Sequence, residues 1–450
     1  MEFDNGETCS IGDFKADKAT QLASYLSTGH NPFATLIECR KSTNRDIVCV
    51  EVKAELSQLR IKDLRPVEPI AIHFDPADSE LPKVYALRKD FPRRIPHLNL
   101  EWKDWPASLC LYNERYRDIK PLWTPPRFLE RIREWLKETA NGTLHKDDQP
   151  LEPLLFGSNT HLIIPGAILE SSNSVEQLAI IDCSESDNGK CALRVISAEQ
   201  MAQRPPNKLR LTALKIQLPA QEHGIIHHMP RTLNELHDLF GTAGYDLLSN
   251  LRSEMKKWTI TKEIQESSLA MIAWFPKKRT SDSAPDATDI WVFVTTKKVH
   301  EVLEDIGVYA GHVASGNYNV PLLSGFDESK RGENTIIELF NPTLELTPEK
   351  AAILNGSSEA SDQNIFAIGA GSLGSHVVMN CVRAGFGKWT LADDDILLPH
   401  NMARHALDGF FLGRSKVASL QAAANHIVTG VPVANAIPVS YTHLTLPTKA

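Results

Sequence analysis

The sequence predicts three successive folded regions. These are an α+β region over residues 1–150, a second α+β region over 151–345, and from 346 the opening of an α/β, doubly wound parallel sheet that is incomplete at 438. Three observations carry this. Short alternating apolar stretches near the N-terminus are bracketed by two helical patterns. Further strand-like stretches with one long helical stretch fill the middle. The run Gly369-Ala370-Gly371-Ser372-Leu373-Gly374 then stands between a short apolar strand and a helix with an apolar face.

In the first region, residues 17–27 predict a short helix, and Phe33–Cys39, Ile47–Val52 and Pro69–Phe74 an antiparallel meander. Residues 90–122 carry Pro92, Pro96, Pro106 and Pro121 and predict irregular chain. Thr124 is placed to cap a helix with Pro125-Pro126 in its first turn. Phe128, Leu129, Ile132, Trp135 and Leu136 form its apolar face, and Asn141-Gly142 its end.

The middle predicts strands at His161–Ile164, Leu178–Asp182, Ala192–Ile196 and Leu209–Leu218, with a hairpin turn at Asn188-Gly189. A helical stretch from Leu233 to about Lys257 follows, then strands near Leu269–Phe275 and Ile290–Thr295, separated by an exposed loop, Thr280–Asp289. In the last region Ile365–Ile368 reads as a short buried strand and the glycine turn opens a helix ending at Gly385. Trp389–Leu391 is a second strand, and Gly413–Val428 a second helix. Residues 439–450, which include Ser440-Tyr441-Thr442-His443-Leu444, match the conceptual translation of a sequencing adapter and are set aside as non-native. The native protein is expected to continue past Pro438.

Composition excludes several classes. A net charge of -8 argues against direct nucleic-acid binding, which needs clustered positive charge. No apolar run approaches the ~18 residues of a membrane span, and the acidic N-terminus lacks signal-peptide order. Seven scattered cysteines suit reduced thiols and a cytoplasmic location. His223, His227 and His228 have metal-like spacing, but no nearby Cys or carboxylate set completes a site.

Gly369, Gly371 and Gly374 bring backbone N–H groups and a helix N-terminus to one point, where anions bind. Asp393, 24 residues beyond Gly369, ends the next strand, where an acid reaches ribose hydroxyls. Up to this point a dinucleotide-dependent (NAD(P)) oxidoreductase fits equally well. Asn401, Arg404 and Lys416 tilt the reading, because added amide and cationic groups suit charge developing on phosphate oxygens rather than hydride transfer. Residues 364–430, with GAGSLG, LADDDILLPHNMARH and LGRSKVAS in order, resemble the Rossmann-like adenylation domain of the ThiF/MoeB and ubiquitin-activating enzyme family. The resemblance implies ATP as substrate and Mg2+ beside it, with the magnesium aspartate and an activating cysteine further along than Pro438. It implies that Asp393 holds the ribose, that Asp395 is the motif's second acid, that Asn401 and Arg404 contact phosphates, and that Lys416 stabilises charge at the reacting phosphate. Asp394, a third acid, should face solvent, and His405 stands where the family has glutamine.

Cys110 lies in the proline-broken stretch. Residues 91–137 carry ten Lys/Arg against six Asp/Glu, a local +4 that favours a thiolate. Pro82-Lys83-Val84, His97-Leu98-Asn99, Leu109-Cys110-Leu111 and Trp123-Thr124-Pro125 resemble, in order, a ubiquitin-conjugating enzyme domain over about residues 15–150. By that resemblance Cys110 carries a thioester, and Asn99 steadies the oxyanion when an amine attacks; His97 opens the same tripeptide. The two domains in one chain resemble the bacterial activating/conjugating fusions of antiphage CBASS operons. That implies ATP-dependent activation of a protein C-terminal carboxylate with a glycine-type tail, on a cGAS-like nucleotidyltransferase or a ubiquitin-like protein. Transfer through cysteine thioesters to an amine follows, in a homodimer formed through the adenylation domain. The 450-residue chain itself is expected to be inactive in adenylation. A non-catalytic binding module is the other alternative.

Overall fold

The computed structural model describes residues 3–57, 62–146, 149, 151, 158, 160–170, 172–185, 191–197, 210–223, 228–257, 261–280, 282–312, 319–321 and 326–438. The expected Asn188-Gly189 turn, His227 and residues 439–450 lie outside them. The chain divides into two compact units: Met1–Ser158 with Ile216–Asn341, and Asn159–Lys215 with Pro342–Ala450.

The first part of unit 1 is a seven-stranded sheet. Its order is Glu7–Thr8, Ala34–Lys41, Asp46–Lys53, Val67–Phe74, Lys83–Ala86, Ala107–Leu109, Leu98–Asn99, with every neighbouring pair antiparallel. The helix Asp17–Ser27 falls where expected. The helix Pro125–Asn141 begins at its prolines and ends on Gly142, whose φ of 70° is the left-handed cap that glycine adopts without strain. Both helices pack on one sheet face, where Leu22, Val48, Val50, Ile72, Ile132 and Trp135 are buried together. The opposite face of the same strands buries Ile47, Cys49, Ala71 and Tyr85, so the period of two serves two cores. One ion pair is locked inside: Arg88 grips both carboxylate oxygens of Glu68 at 3.0 Å, with Glu68 fully buried.

The stretch 90–122 is less irregular than its prolines suggest. It contributes Leu98–Asn99 and Ala107–Leu109 to the sheet edge, since each strand lies between prolines and needs only two or three residues.

The remainder of unit 1 is a sheet of Ser268–Lys278, Pro285–Lys298 and the start of Ile337–Leu344, all antiparallel, with Gln221–Glu222 parallel at one edge. Phe240, Phe275, Trp291 and Phe293 meet in its core. Two expectations are corrected here. The stretch from Leu233 is two helices, Leu233–Thr242 and Leu247–Lys257, broken at Gly244 with φ 82°. The supposed loop Thr280–Asp289 is strand from Pro285 onward, because its polar residues continue the long hairpin as exposed sheet.

In unit 2, Cys191–Ser197 pairs parallel with Thr160–Ile164 and antiparallel with Val175–Glu185, which pairs in turn with Arg210–Gln217. After the helix Pro348–Leu354 comes a parallel sheet with Phe386–Asp393 central between Ser361–Ile368 and Ala434–Pro438. The helices Ser372–Arg383 and Lys416–Ile427 bury Val378, Val382, Val417 and Leu420 against Trp389 and Leu391. The first strand is buried on that side alone. Phe366 and Ile368, expected inside, are 59% and 69% exposed, because both helices pack against the other face.

Candidate active site

Two constellations carry chemistry, one in each unit. In unit 2 the strand Ser361–Ile368 runs directly into the glycine turn. Gly369 has φ 93°, a conformation that L side chains rarely adopt, and its N–H donates to the Ala392 carbonyl at 2.8 Å. A Cβ on Gly369 or Gly371 would meet nothing within 4 Å, so the turn is open to an incoming group. A Cβ on Gly374 would instead overlap the Gly369 carbonyl, so the helix can pass this close only with glycine there. Gly371 is the N-cap of the 12-residue helix Ser372–Arg383, whose first-turn N–H groups have no intrahelical partners.

Asp393 acts on this turn through its backbone. One carboxylate oxygen accepts the Ala370 N–H at 2.6 Å, the other the Asp395 N–H at 2.8 Å. Asp395 receives the Lys416 ammonium at 2.7 Å; Lys416 is buried while the Asp395 side chain is 68% exposed. Lys416 opens the second helix, held by the Ser415 cap that accepts the Ala418 N–H. Asn401 accepts the Leu398 N–H at 2.9 Å and so shapes the loop leading to Arg404, which is exposed. Three bonds tie that loop to the turn and the helix it opens, one of them from the Ala406 N–H to Ser375 Oγ at 3.1 Å. The Ser372 hydroxyl donates to the Arg404 carbonyl at 2.7 Å, and His405 Nε2 donates to the Ala370 carbonyl at 2.7 Å. His405 Nδ1 accepts the Leu407 N–H at 3.1 Å, which assigns the tautomer, and burial holds its pKa below the ordinary value. Asp394 is exposed, and oxygens of Asp393, Asp394 and Asp395 lie within 4.8 Å of one another.

In unit 1 the edge pair Leu98–Asn99 and Ala107–Leu109 delivers Cys110. The half-buried Cys110 donates its N–H to the His97 carbonyl at 2.9 Å. The Asn99 amide donates to Ser108 Oγ at 3.0 Å and to the Leu109 carbonyl at 3.1 Å, clamping the strand that ends at the thiol. His97 has φ 58°, unusual outside glycine. Its Nε2 lies 3.4 Å from His145 Nδ1, and the His145 ring centroid is 4.4 Å from that of His223. A groove of about 490 Å³ holds Cys110, Asn99, Pro82, Trp102 and Tyr112, and takes Met229 from the later segment. Beside it, burial raises the Glu101 carboxyl, which accepts the Tyr85 hydroxyl at 3.2 Å.

The description "Prokaryotic E2 family A" matches residues 32–170, around Cys110, and "ThiF family" matches residues 349–443, around the glycine turn. The chain is a fusion of an E2-like domain and a ThiF domain. It is similar to the ATP-dependent ubiquitin transferase-like protein Cap2 of Enterobacter hormaechei subsp. hoffmannii (strain UCI 50), at 35% identity over 72 residues. That match spans 16% of this chain and 12% of the relative's length. Neither family is that of a dinucleotide oxidoreductase, the alternative left open by glycines alone.

The ThiF domain thus brings together Gly369, Gly371, Gly374, Asp393, Asp395, Arg404 and Lys416 around one turn, while Asn401 serves the loop behind them. The E2-like domain brings Asn99 and Cys110 to one groove. Sequence reasoning missed His145, Met229, Ser108 and the His405 link. Only His405 carried a signal, as a departure within the motif. No helix among the described residues is long and apolar enough to cross a membrane.

Proposed function

We propose that the fusion catalyses ATP-dependent, ubiquitin-like conjugation, of the kind associated with antiphage CBASS systems, in the cytoplasm and as a homodimer through a Rossmann-like ThiF domain. The observation that carries this is the pairing, in one chain, of a thiol set in a groove with an open phosphate-type turn whose acid holds a buried lysine. A protein's C-terminal carboxylate, with a glycine-type tail such as that of a cGAS-like nucleotidyltransferase or a ubiquitin-like protein, attacks the α-phosphorus of ATP. Pyrophosphate leaves and the acyl group is carried as a mixed anhydride with AMP. A thiolate displaces AMP, thioester exchange moves the acyl group to Cys110, and an acceptor amine attacks the Cys110 thioester. An amide forms and the thiol is released.

The roles of the residues follow from their placement. The open N–H groups at Gly369, Gly371 and the helix start receive phosphate oxygens. Asp393 orients the turn and faces the ribose. Lys416, held by Asp395 at the turn, meets charge growing on the reacting phosphate, and Arg404 and Asn401 serve the outer phosphates. Mg2+ bound with the nucleotide would supply further neutralisation. Asp393 and Asp395 already hold N–H groups and an ammonium, and we propose a further residue as its principal ligand. Asn99 reaches the oxyanion of amine attack by releasing one of its two amide bonds.

The test is acyl transfer from a tailed protein donor with ATP, resolved with and without reductant. A thiol-sensitive adduct lost in Cys110→Ala supports the reading, and an unchanged adduct and conjugate yield removes Cys110 from it. Pyrophosphate exchange separately tests the adenylation step.

A further inference from the structure

The groove of Cys110 is not made by the E2-like domain alone. Residues 228–231, of which Met229 lines the groove, are fixed at both ends. On the middle-sheet side the Ile337 N–H donates to the Arg231 carbonyl at 3.0 Å, and Glu235 accepts the Arg231 N–H at 2.7 Å. On the E2-like side the Met229 N–H donates to the Glu101 carbonyl at 3.1 Å, and the Arg231 guanidinium sits 4.1 Å from the centre of the Trp102 ring. Arg93 joins them again, donating to the Trp105 carbonyl at 2.7 Å while lying 3.2 Å from a His228 ring nitrogen. Pro230, which fixes its own φ, is buried between these anchors. Met229 is therefore held in place by backbone bonds on either side, with its side chain half-buried in the wall of the groove that contains the thiol.

A wall held so firmly sets a width. Pro82 and the aromatic rings of Trp102 and Tyr112 are rigid parts of the remaining lining, which also includes Glu80, Lys83 and Glu101. A chain linked through its carboxyl end to Cys110 must lie along these surfaces, and its residues next to the thioester meet them first. We infer that Met229 is a specificity-determining residue for the acyl group on Cys110, selecting a slender C-terminal tail with small residues beside the thioester. This rests on the thioester reading above. Because side-chain size in an apolar wall is worth about one to two orders of magnitude in rate per methylene, replacing Met229 changes selectivity rather than reactivity as such.

The experiment bypasses ATP and the unidentified donor. The 450-residue chain is mixed with peptide thioesters of 2-mercaptoethanesulfonate ending in Ala-Gly-Gly or Ala-Leu-Gly. The Cys110 thiolate attacks the thioester carbon, a new carbon–sulfur bond forms, and the sulfonate thiolate leaves. Adducts are followed by intact mass, with Cys110→Ala as background. The expected result is a preference for Gly-Gly of roughly tenfold. Met229→Ala lowers that ratio severalfold, chiefly by speeding the Leu-Gly peptide, and Met229→Leu preserves it. An unchanged ratio in Met229→Ala overturns the role of Met229 while leaving the thioester reading intact. Absence of any Cys110 adduct in the wild type, from a thiol that still reacts with maleimide, removes the thioester reading and this inference with it.

Discussion

At the glycine turn the hydrogen bonds described come from residues 369–416, whereas the Cys110 groove takes a wall from Met229, 119 positions downstream, and borders a histidine chain that ends at His223. The first site is a property of one strand–turn–helix and the loop that returns to it. The second is a property of a whole unit, in which a later segment completes an earlier domain. The difference separates two kinds of damage. A change at the turn should stay local, and a change anywhere in the seating of 216–341 should be felt at the thiol.

The largest effect that would break this contrast is at Gly374. Gly374→Val puts a side chain into the Gly369 carbonyl, and binding of a fluorescent ATP analogue should fall at least a hundredfold, with Cys110 acylation by peptide thioesters unchanged. Loss of both would mean the two sites are not independent. Next comes the buried pair of unit 1. Glu68→Ala removes the buried carboxylate and leaves Arg88 the exposed carboxylates of Asp90, at 3.2 Å, and Asp63, at 3.7 Å, and should cost up to about 3–5 kcal/mol in denaturant unfolding. Unit 2 should keep its nucleotide affinity wherever unit 1 stays folded.

Acid sharpens the comparison further. Burial lowers His73, in unit 1, to about 4, and lowers His405, in unit 2, to a smaller extent. Both rings are neutral in the fold, while the unfolded chain takes up protons below the ordinary 6.5. Stability is therefore full above that value and declines as pH falls from 6.5 toward 4. The His73 share is on the order of 3 kcal/mol, and His73→Phe should flatten the unit 1 part of the curve. The smallest expected effect is His223→Ala, which should change the alkylation rate of Cys110 by about twofold to fivefold through His145 and His97. A rate unmoved by this distant change would show that the thiol, too, is a local site.

The same contrast explains what the sequence made legible. The glycine turn, Asp393 and Lys416 are close in sequence because a parallel βαβ unit returns to one sheet end, so spacing alone located them. The helix Pro125–Asn141 was legible from its apolar period, its leading prolines and Gly142, although Thr124 makes no side-chain cap bond. Cys110 was visible from its neighbours, but Met229 and His145 were not, because nothing local marks a methionine that lines a groove or a histidine that stacks on another. The break at Gly244 was missed because apolar spacing continues on both sides of it. Phe366 and Ile368 read as core because strand apolarity reports a sheet covered on both faces, and here the helices cover one.

The ties between the Arg404 loop and the glycine turn with its helix, through Ser372, Ser375 and His405, have a thermodynamic corollary. A loop already fastened at three points has little backbone freedom left to surrender when a nucleotide arrives, so the ordering cost falls mainly on the arginine side chain itself. Calorimetry on the wild type and on His405→Ala should then differ in entropy more than in enthalpy. The histidine would be acting as a rivet that stiffens the cradle before its guest is present.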